Sequence, residues 1–310
     1  MNEASSHAQE RSGWRPASYY PDPAIHALDP RFEKYWLKLS AVERLTTGLR
    51  WAEGPVWFGD GRYLLCSDIR EPRDLGANEQ FKAADLSDMA QVEALCEGVD
   101  GIIHFGGYSV EGPWDDILQA NIIGGYNLFE AAYRKGVKRV VFASSNHVVG
   151  FYPRHQKIGT DVTVRPDGRY GVSKVFGEAV GALYADKHGL KVTCIRIGNC
   201  DERPLDHRRI AMWLKPEDLV QLCQIGLEHP DIHFEVFYGV SLNERAWWDN
   251  SRAYAFGYRP TGRSEDHVAH AMAEQAKLKP DPIGDHFQGG AFASLEFDGD
   301  KSRIIDWTKR

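Results

Sequence analysis

Tyr170 and Lys174 bracket Tyr170-Gly-Val-Ser-Lys174, and positions four apart share one face of a helix. A lysine ammonium beside a phenol favours phenolate, lowers the tyrosine pKa, and lets it take a proton from a substrate hydroxyl near neutral pH. Upstream, Phe142-Ala-Ser-Ser-Asn-His-Val-Val-Gly150 sets hydroxyls at the predicted carboxyl end of a strand, the edge at which open α/β sheets bind ligands. Ser145 is placed there to hydrogen-bond a reacting oxygen. Ser144, Ser145 and Asn146 also suit plain turn duty, and His147 reads equally as a substrate contact or as a hydrogen-bonded loop histidine.

The elements that must carry these groups follow a β-α-β grammar from about Arg62 to Phe292. Strands are expected at Tyr63–Asp68, at Gly101–Phe105 running into Gly106-Gly107, at Arg139–Ser144 and at Lys191–Ile197. Helical spacing predicts helices over Asp88–Glu97, over Ile117–Lys135 with Gly136 as the stop, and from near Tyr170 onward. The fold class is therefore α/β, a Rossmann-like doubly wound parallel sheet. Val56-Trp-Phe-Gly-Asp-Gly-Arg-Tyr-Leu-Leu65 reads instead as a β-hairpin, its Asp-Gly suited to a tight turn.

Composition narrows the function classes. The chain has 310 residues with 43% hydrophobic and 26% charged, as a globular protein with a sizeable core does. Its net charge of −7 argues against a nucleic-acid or anionic-membrane surface. Cys66, Cys96, Cys194, Cys200 and Cys223 form no Cys-x-x-Cys pair, which fits a reducing compartment and gives no zinc signature. The first 25 residues lack the apolar stretch of a secretory signal and no apolar run is long enough to span a bilayer. A cytoplasmic protein without nucleic-acid or membrane partners is expected.

Seven strings together carry a resemblance: Gly106-Gly107-Tyr-Ser109, Ile117-Leu-Gln-Ala-Asn-Ile-Ile-Gly124, Val141-Phe-Ala-Ser-Ser-Asn-His147, Tyr170-Gly-Val-Ser-Lys174, Arg196-Ile-Gly198, Trp247-Trp-Asp-Asn-Ser251 and Phe287-Gln-Gly-Gly290. From about Leu65 to Phe292 the chain resembles the extended short-chain dehydrogenase/reductases, and within them the NAD-dependent uronate dehydrogenases. The resemblance implies Tyr170 as general base, Lys174 tuning it and holding the nicotinamide ribose, and Ser145 polarising the substrate hydroxyl. It implies NAD as cofactor, with Asp68, Ile69, Asp85, Leu86, Gly106, Gly107, Asn121, Lys174 and Ile197 lining its site. Asp68 closes the strand that reads the adenosine ribose, where a carboxylate accepts from the 2′-hydroxyl and repels a 2′-phosphate. For a uronic acid, Ser109, Asn146, His147, Asn199 and Arg208 match the substrate positions, and Arg208 suits a carboxylate because its fork binds one bidentately. Asn199 departs from the family's usual serine. The implied reaction takes a hexuronic acid to an aldarolactone, and a homo-oligomer is compatible with the resemblance.

The same resemblance leaves a gap. A dinucleotide fold needs a strand, a glycine-rich turn and a helix ahead of the ribose-reading acid. The nearest string, Thr47-Gly-Leu-Arg-Trp-Ala-Glu-Gly54, has Trp51 where a small residue is needed, and Pro55 and Gly59-Asp60-Gly61 follow it. Residues 18–69 resemble instead the start of a gluconolactonase-type lactonase, in which Glu53 matches a metal ligand; one carboxylate makes no metal site, and none is expected. The chain thus divides into an atypical segment, 1–62, a dehydrogenase domain, 63–295, and a frayed tail, 296–310. Loss of the first β-α unit is expected to open the sheet, with Val42–Gly48 as a surrogate strand, and to weaken NAD binding. Two other readings stand beside the dehydrogenase: a sugar epimerase or dehydratase, and a non-catalytic protein that binds sugar acids or a partner.

Overall fold

The computed structural model describes residues 53–58, 64–72, 75–76 and 79–304, the first stretch by its backbone alone. The expected surrogate strand at 42–48, the lactonase-like residues 18–52, the turn at 59–61 and the Glu53 side chain lie outside the described residues. The strands are β1 (Glu53–Phe58), β2 (Leu64–Ser67), β3 (Glu79–Phe81), β4 (Val99–His104), β5 (Arg139–Ser145), β6 (Lys191–Ile197), β7 (Asn199–Cys200), β8 (Trp213–Leu214) and β9 (Phe234–Gly239). The α-helices are α1 (Met89–Leu95), α2 (Trp114–Ile117), α3 (Gly124–Arg134), α4 (Arg169–His188), α5 (His207–Met212), α6 (Pro216–Glu228), α7 (Ser251–Ala255), α8 (Val268–Gln275) and α9 (Ala291–Ser294).

Seven strands form one sheet in the order β3-β2-β1-β4-β5-β6-β9, and β7 pairs with β8 apart from it. The pairs β2–β3, β4–β5, β5–β6 and β6–β9 are parallel. The slot expected to stand open is filled by β1, which runs antiparallel to both neighbours. Chain length explains its direction. Only residues 59–63 link β1 to β2, enough for a hairpin and too few for the crossover that parallel strands need. Trp57 faces Leu64 and Val56 faces Leu65, the pairing expected of the hairpin. Glu53 lies opposite Ser67, so the start of β1 reaches the carboxyl edge of the parallel strands.

Alternation along the strands builds a core on each face. Val140 and Phe142 of β5 pack with Val92 of α1, Phe129 and Ala132 of α3 and Tyr184 of α4. Val141 points the other way, to Leu222 and Ile225 of α6 and Phe237 of β9. Each such side chain, fully buried, contributes roughly 1.5–3 kcal/mol. The helix predicted over 117–135 runs as α2, a wider π-helical turn at Leu118–Ile123, and α3, and Gly136 at φ 75° follows it, a backbone state that suits glycine. The tail expected to fray holds a helical turn at Lys301–Arg303.

Candidate active site

Strand β5 and helix α4 deliver the Ser145 and Tyr170 side chains to one place. Glu111 fixes the start of α4, where its carboxylate accepts from the Tyr170 N–H at 3.0 Å and from Arg169 Nη1 at 3.2 Å, as the free amides of a helix N-terminus favour. The Ser145 side chain lies close enough to the Tyr170 hydroxyl to act on its titration. One turn on, Lys174 Nζ lies 5.5 Å from the Tyr170 ring centroid and 5.1 Å from that of Phe142. The helical spacing thus brings phenol and ammonium together as expected.

Its electrostatic outcome differs from expectation. Burial pushes the Tyr170 phenol up to about 12, against a lowering by the Ser145 side chain, and Asp167 raises it further. Burial also pulls Lys174 down to about 8. Desolvation of both groups therefore outweighs the depression of the phenol that the spacing predicts. His104 is drawn down to about 3 by burial and then by Lys174, so it adds no charge.

Beneath this pair lies a buried ionic anchor. Arg196 donates from Nε to Glu178 Oε1 and from Nη2 to Glu178 Oε2, both at 2.9 Å. Ser144 Oγ donates to the same carboxylate at 2.6 Å. Three elements, β5, α4 and β6, are thereby tied together just below the reacting edge.

Asn146 and Arg208 meet beside Ser145. With its amide oriented to satisfy both partners, Asn146 donates to the Ile197 carbonyl at 3.2 Å and accepts from Arg208 Nη2 at 3.1 Å. Arg208 Nε donates to the Gln288 carbonyl at 2.7 Å, and burial lowers the guanidinium to about 10. Among the described residues no carboxylate forms an ion pair with it. The Gln288 side chain, fully buried, accepts from Trp248 Nε1 at 2.8 Å and donates to the Pro153 and Gln156 carbonyls; the strings around Trp248 and Gln288 thus act as one brace behind Arg208. His147 stacks on Phe292 at 4.0 Å and 17° and meets Asp167 Oδ2 through Nδ1 at 2.8 Å. Asn199 starts β7, with its Oδ1 buried and unpartnered. Ser109 is exposed in the loop after β4; among the described residues no hydrogen bond ties it to the Tyr170 cluster. A cavity of about 410 Å³ beside the cluster is lined by Asp167, Phe292, Glu111 and Arg169 among others, a size that suits a small ligand.

The residues expected to line a dinucleotide follow the carboxyl edge. Asp68, directly after β2, is buried; Oδ1 accepts from the Arg70 N–H at 3.0 Å, while Oδ2 is buried without a partner. Such an atom calls for a donor, and a ribose hydroxyl is one. Ile69 is 59% exposed beside it. Asp85 accepts from the N–H and the hydroxyl of Ser87, and the Leu86 carbonyl accepts from Asn127 at 2.9 Å. Gly106 and Gly107 follow β4; Gly107 has φ 108°, and a Cβ there would fall 2.5 Å from Asn121 Oδ1, so only glycine fits. Asn121, in the π-helical turn, accepts from the Tyr108 N–H at 2.6 Å and donates to the Tyr108 carbonyl and to Ser173 Oγ, which locks this loop onto α4. Ile197 pairs with Ser145 across the sheet.

Several supporting groups carry no sequence signal. Glu111 acts on α4 from 58 positions away. Asp167 sits in Pro166-Asp-Gly168, which reads as a turn, and Glu178 is one acid within a long helix.

The sequence matches the NAD dependent epimerase/dehydratase family over residues 43–200. The uronate dehydrogenase of Pseudomonas syringae pv. tomato is 44% identical over 239 residues, covering 77% of this chain and 86% of the relative. The crystal structure of a glucuronic acid dehydrogenase from Chromohalobacter salexigens superposes with TM-score 0.73 at 42% identity, covering 78% of this chain and 90% of that one. A variant uronate dehydrogenase from Agrobacterium tumefaciens complexed with NAD matches with TM-score 0.71 at 41% identity, over 76% and 88% of the two chains. The family match begins at residue 43, upstream of the dehydrogenase-like stretch expected from residue 65.

Proposed function

Because this chain belongs to the NAD dependent epimerase/dehydratase family, we propose that it is an NAD-dependent oxidoreductase. In this reading it oxidises a hexuronic acid, galacturonate or glucuronate, at the anomeric carbon to an aldarolactone. The observation that carries the substrate class is Arg208. A guanidinium desolvated enough to fall to about 10 and in no ion pair among the described residues favours a carboxylate ligand. The Asn146 contact ties it to the residue next to Ser145, and a uronic acid joins such a carboxylate to an oxidisable hydroxyl.

Two parts of the edge fit NAD. The unpartnered Asp68 Oδ2 fits an adenosine ribose, and Lys174 with the Gly106-Gly107 loop fits the nicotinamide end. Between them the fit is poorer. β1 leads through residues 59–63 to β2, and among the described residues no helix N-terminus follows it to meet the pyrophosphate, so NAD binding is expected to be weaker than in a fold that keeps that unit. NAD, when bound, supplies the hydride acceptor and a positive ring charge beside the phenol.

The protein's own groups do the rest. Ser145 Oγ and Tyr170 Oη, the side chain of one lying close to the other, take the anomeric hydroxyl between them. Ser145 donates to the reacting oxygen while Tyr170, as phenolate, accepts its proton. Lys174 stabilises the phenolate and holds the nicotinamide ribose. Arg208 binds the substrate carboxylate, and Asn146, His147, Ser109 and Asn199 take the ring hydroxyls. The five cysteines are free, consistent with the cytoplasmic location this reading includes. No described helix is long and apolar enough to cross a membrane. Carbon NMR of the product tests the reaction: a lactone formed together with NADH is expected, whereas an epimer or a dehydrated sugar without net NADH overturns the reading.

A further inference from the structure

We propose that Asp167 is a positioning residue that holds His147 with its proton on Nδ1 and so presents Nε2 as a bare acceptor to the ligand in the cleft. The inference rests on the reading above only for the ligand's identity as a sugar acid.

Three observations carry it. First, the Asp167 side chain is wholly buried and its Oδ2 lies 2.8 Å from His147 Nδ1. An ionised carboxylate can only accept, so Nδ1 must carry the hydrogen. In the neutral form of the ring the lone pair then lies on Nε2, which makes no hydrogen bond with any described residue.

Second, the ring cannot turn to exchange its nitrogens. Phe292 stacks on it at 4.0 Å and Tyr170 meets it edge-on at 5.8 Å. The His147 N–H donates to Ser145 Oγ at 3.2 Å, and its carbonyl accepts from the Asp167 N–H at 3.4 Å. The imidazole is therefore fixed to the two groups that take the reacting hydroxyl.

Third, Asp167 sits in a slot shaped for a carboxylate. A Cβ on Gly150 would fall 1.9 Å from its Oδ2, and one on Gly289 1.7 Å away. These glycines belong to distant segments joined by a Gly289 N–H bond to the Gly150 carbonyl at 2.8 Å. Asp167 Oδ1 has no partner, and the field of this carboxylate supports the charge on Arg208. A buried carboxylate so incompletely paired is costly to keep, and one purely structural hydrogen bond does not require it.

A bare Nε2 accepts from a sugar hydroxyl, whereas a protonated one donates, so the tautomer selects which oxygen chemistry the cleft tolerates at that position. The test is long-range proton–nitrogen NMR on the ligand-free protein, with His147→Gln identifying the signal. The expected pattern is the Nδ1-protonated form in the wild type and loss of that form in Asp167→Asn. The expected kinetics of Asp167→Asn are a KM for galacturonate raised about tenfold or more, with the KM for NAD within about twofold of the wild type. Nε2-protonated His147 in the wild type overturns the proposal even where Asp167→Asn does not fold. Equal rises in both KM values also overturn it, since they mark a general structural role. A wild type with the Nδ1 form that reduces no NAD on any uronic acid contradicts the proposed function and leaves the tautomer assignment standing.

Discussion

The two halves of the main sheet are built to different standards. From β4 to β9 the strands are parallel, and β5 meets β6 over seven paired positions, Arg139 opposite Lys191 through Ser145 opposite Ile197. On the other side β2 and β3 are short, with four and three residues, and β1 runs backwards with register shifts against both neighbours. The first half carries Ser145, Lys174 and Tyr170 on buried, continuous elements. The second carries only Asp68 and its neighbours. In the proposed function the chemistry thus rests on the regular half, and the adenosine end of the cofactor on the irregular one. Under the proposed function, the lack of a first β-α unit is expected to weaken cofactor grip before it affects proton transfer.

Several changes break or sharpen this contrast. The largest effect is expected from Tyr170→Phe, which removes the base: kcat falls by roughly 10³-fold or more while NAD affinity by calorimetry stays close to wild type. A large loss of NAD affinity in that variant contradicts the division of labour.

Next is the anchor under the site. Arg196→Met leaves the buried Glu178 carboxylate unpaired, and urea unfolding is expected to show a loss of about 3–5 kcal/mol. A change below about 1 kcal/mol means that the pair does not brace the regular half.

Lys174→Met is expected to act in opposite directions on activity and stability. Burial takes this lysine from 10.5 down to about 8, so between these values the unfolded chain binds more protons than the folded one. Stability then rises as pH climbs from about 8 to about 10.5, and below pH 8 the buried charge costs on the order of 3 kcal/mol. The variant should lose most of its turnover, unfold at higher temperature at pH 7, and lack that rise with pH. A variant less stable than wild type at pH 7 contradicts the placement of a desolvated ammonium beside Tyr170.

On the irregular half the effects are smaller. Asp68→Ala should reduce the preference for NAD over NADP by about tenfold, read as a ratio of kcat/KM values, with kcat little changed. Hydrogen exchange should be faster at the amides of β2 and β3 than at those of β5 and β6. Equal protection in the two halves dissolves the contrast.

What the sequence disclosed follows the same line. Tyr170, Lys174 and Ser145 were legible because helical spacing and the end of an apolar strand are local patterns, and the strand ending at Asp68 was legible for the same reason. Asp167, Glu111 and Glu178 were not, since each acts on a partner distant in sequence and its local string reads as a turn or a solvated helix face. The π-helical turn that seats Asn121 also leaves no local mark, because its wider winding is set by contacts with Tyr108 and Ser173. The pKa of Tyr170 went against its spacing because burial, a property of the whole fold, outweighs a neighbour one turn away. The strand that closes the sheet came from the hairpin at 53–67 rather than from 42–48, since a link of only residues 59–63 forces the chain back beside β2.

The most direct test of the central claim mixes the purified full chain with saturating NAD and galacturonate or glucuronate and follows NADH absorbance. NADH formation with one lactone per NADH is expected, together with a Tyr170→Phe variant that binds NAD but forms none. A folded wild-type protein that binds NAD and either sugar acid yet produces no NADH contradicts it.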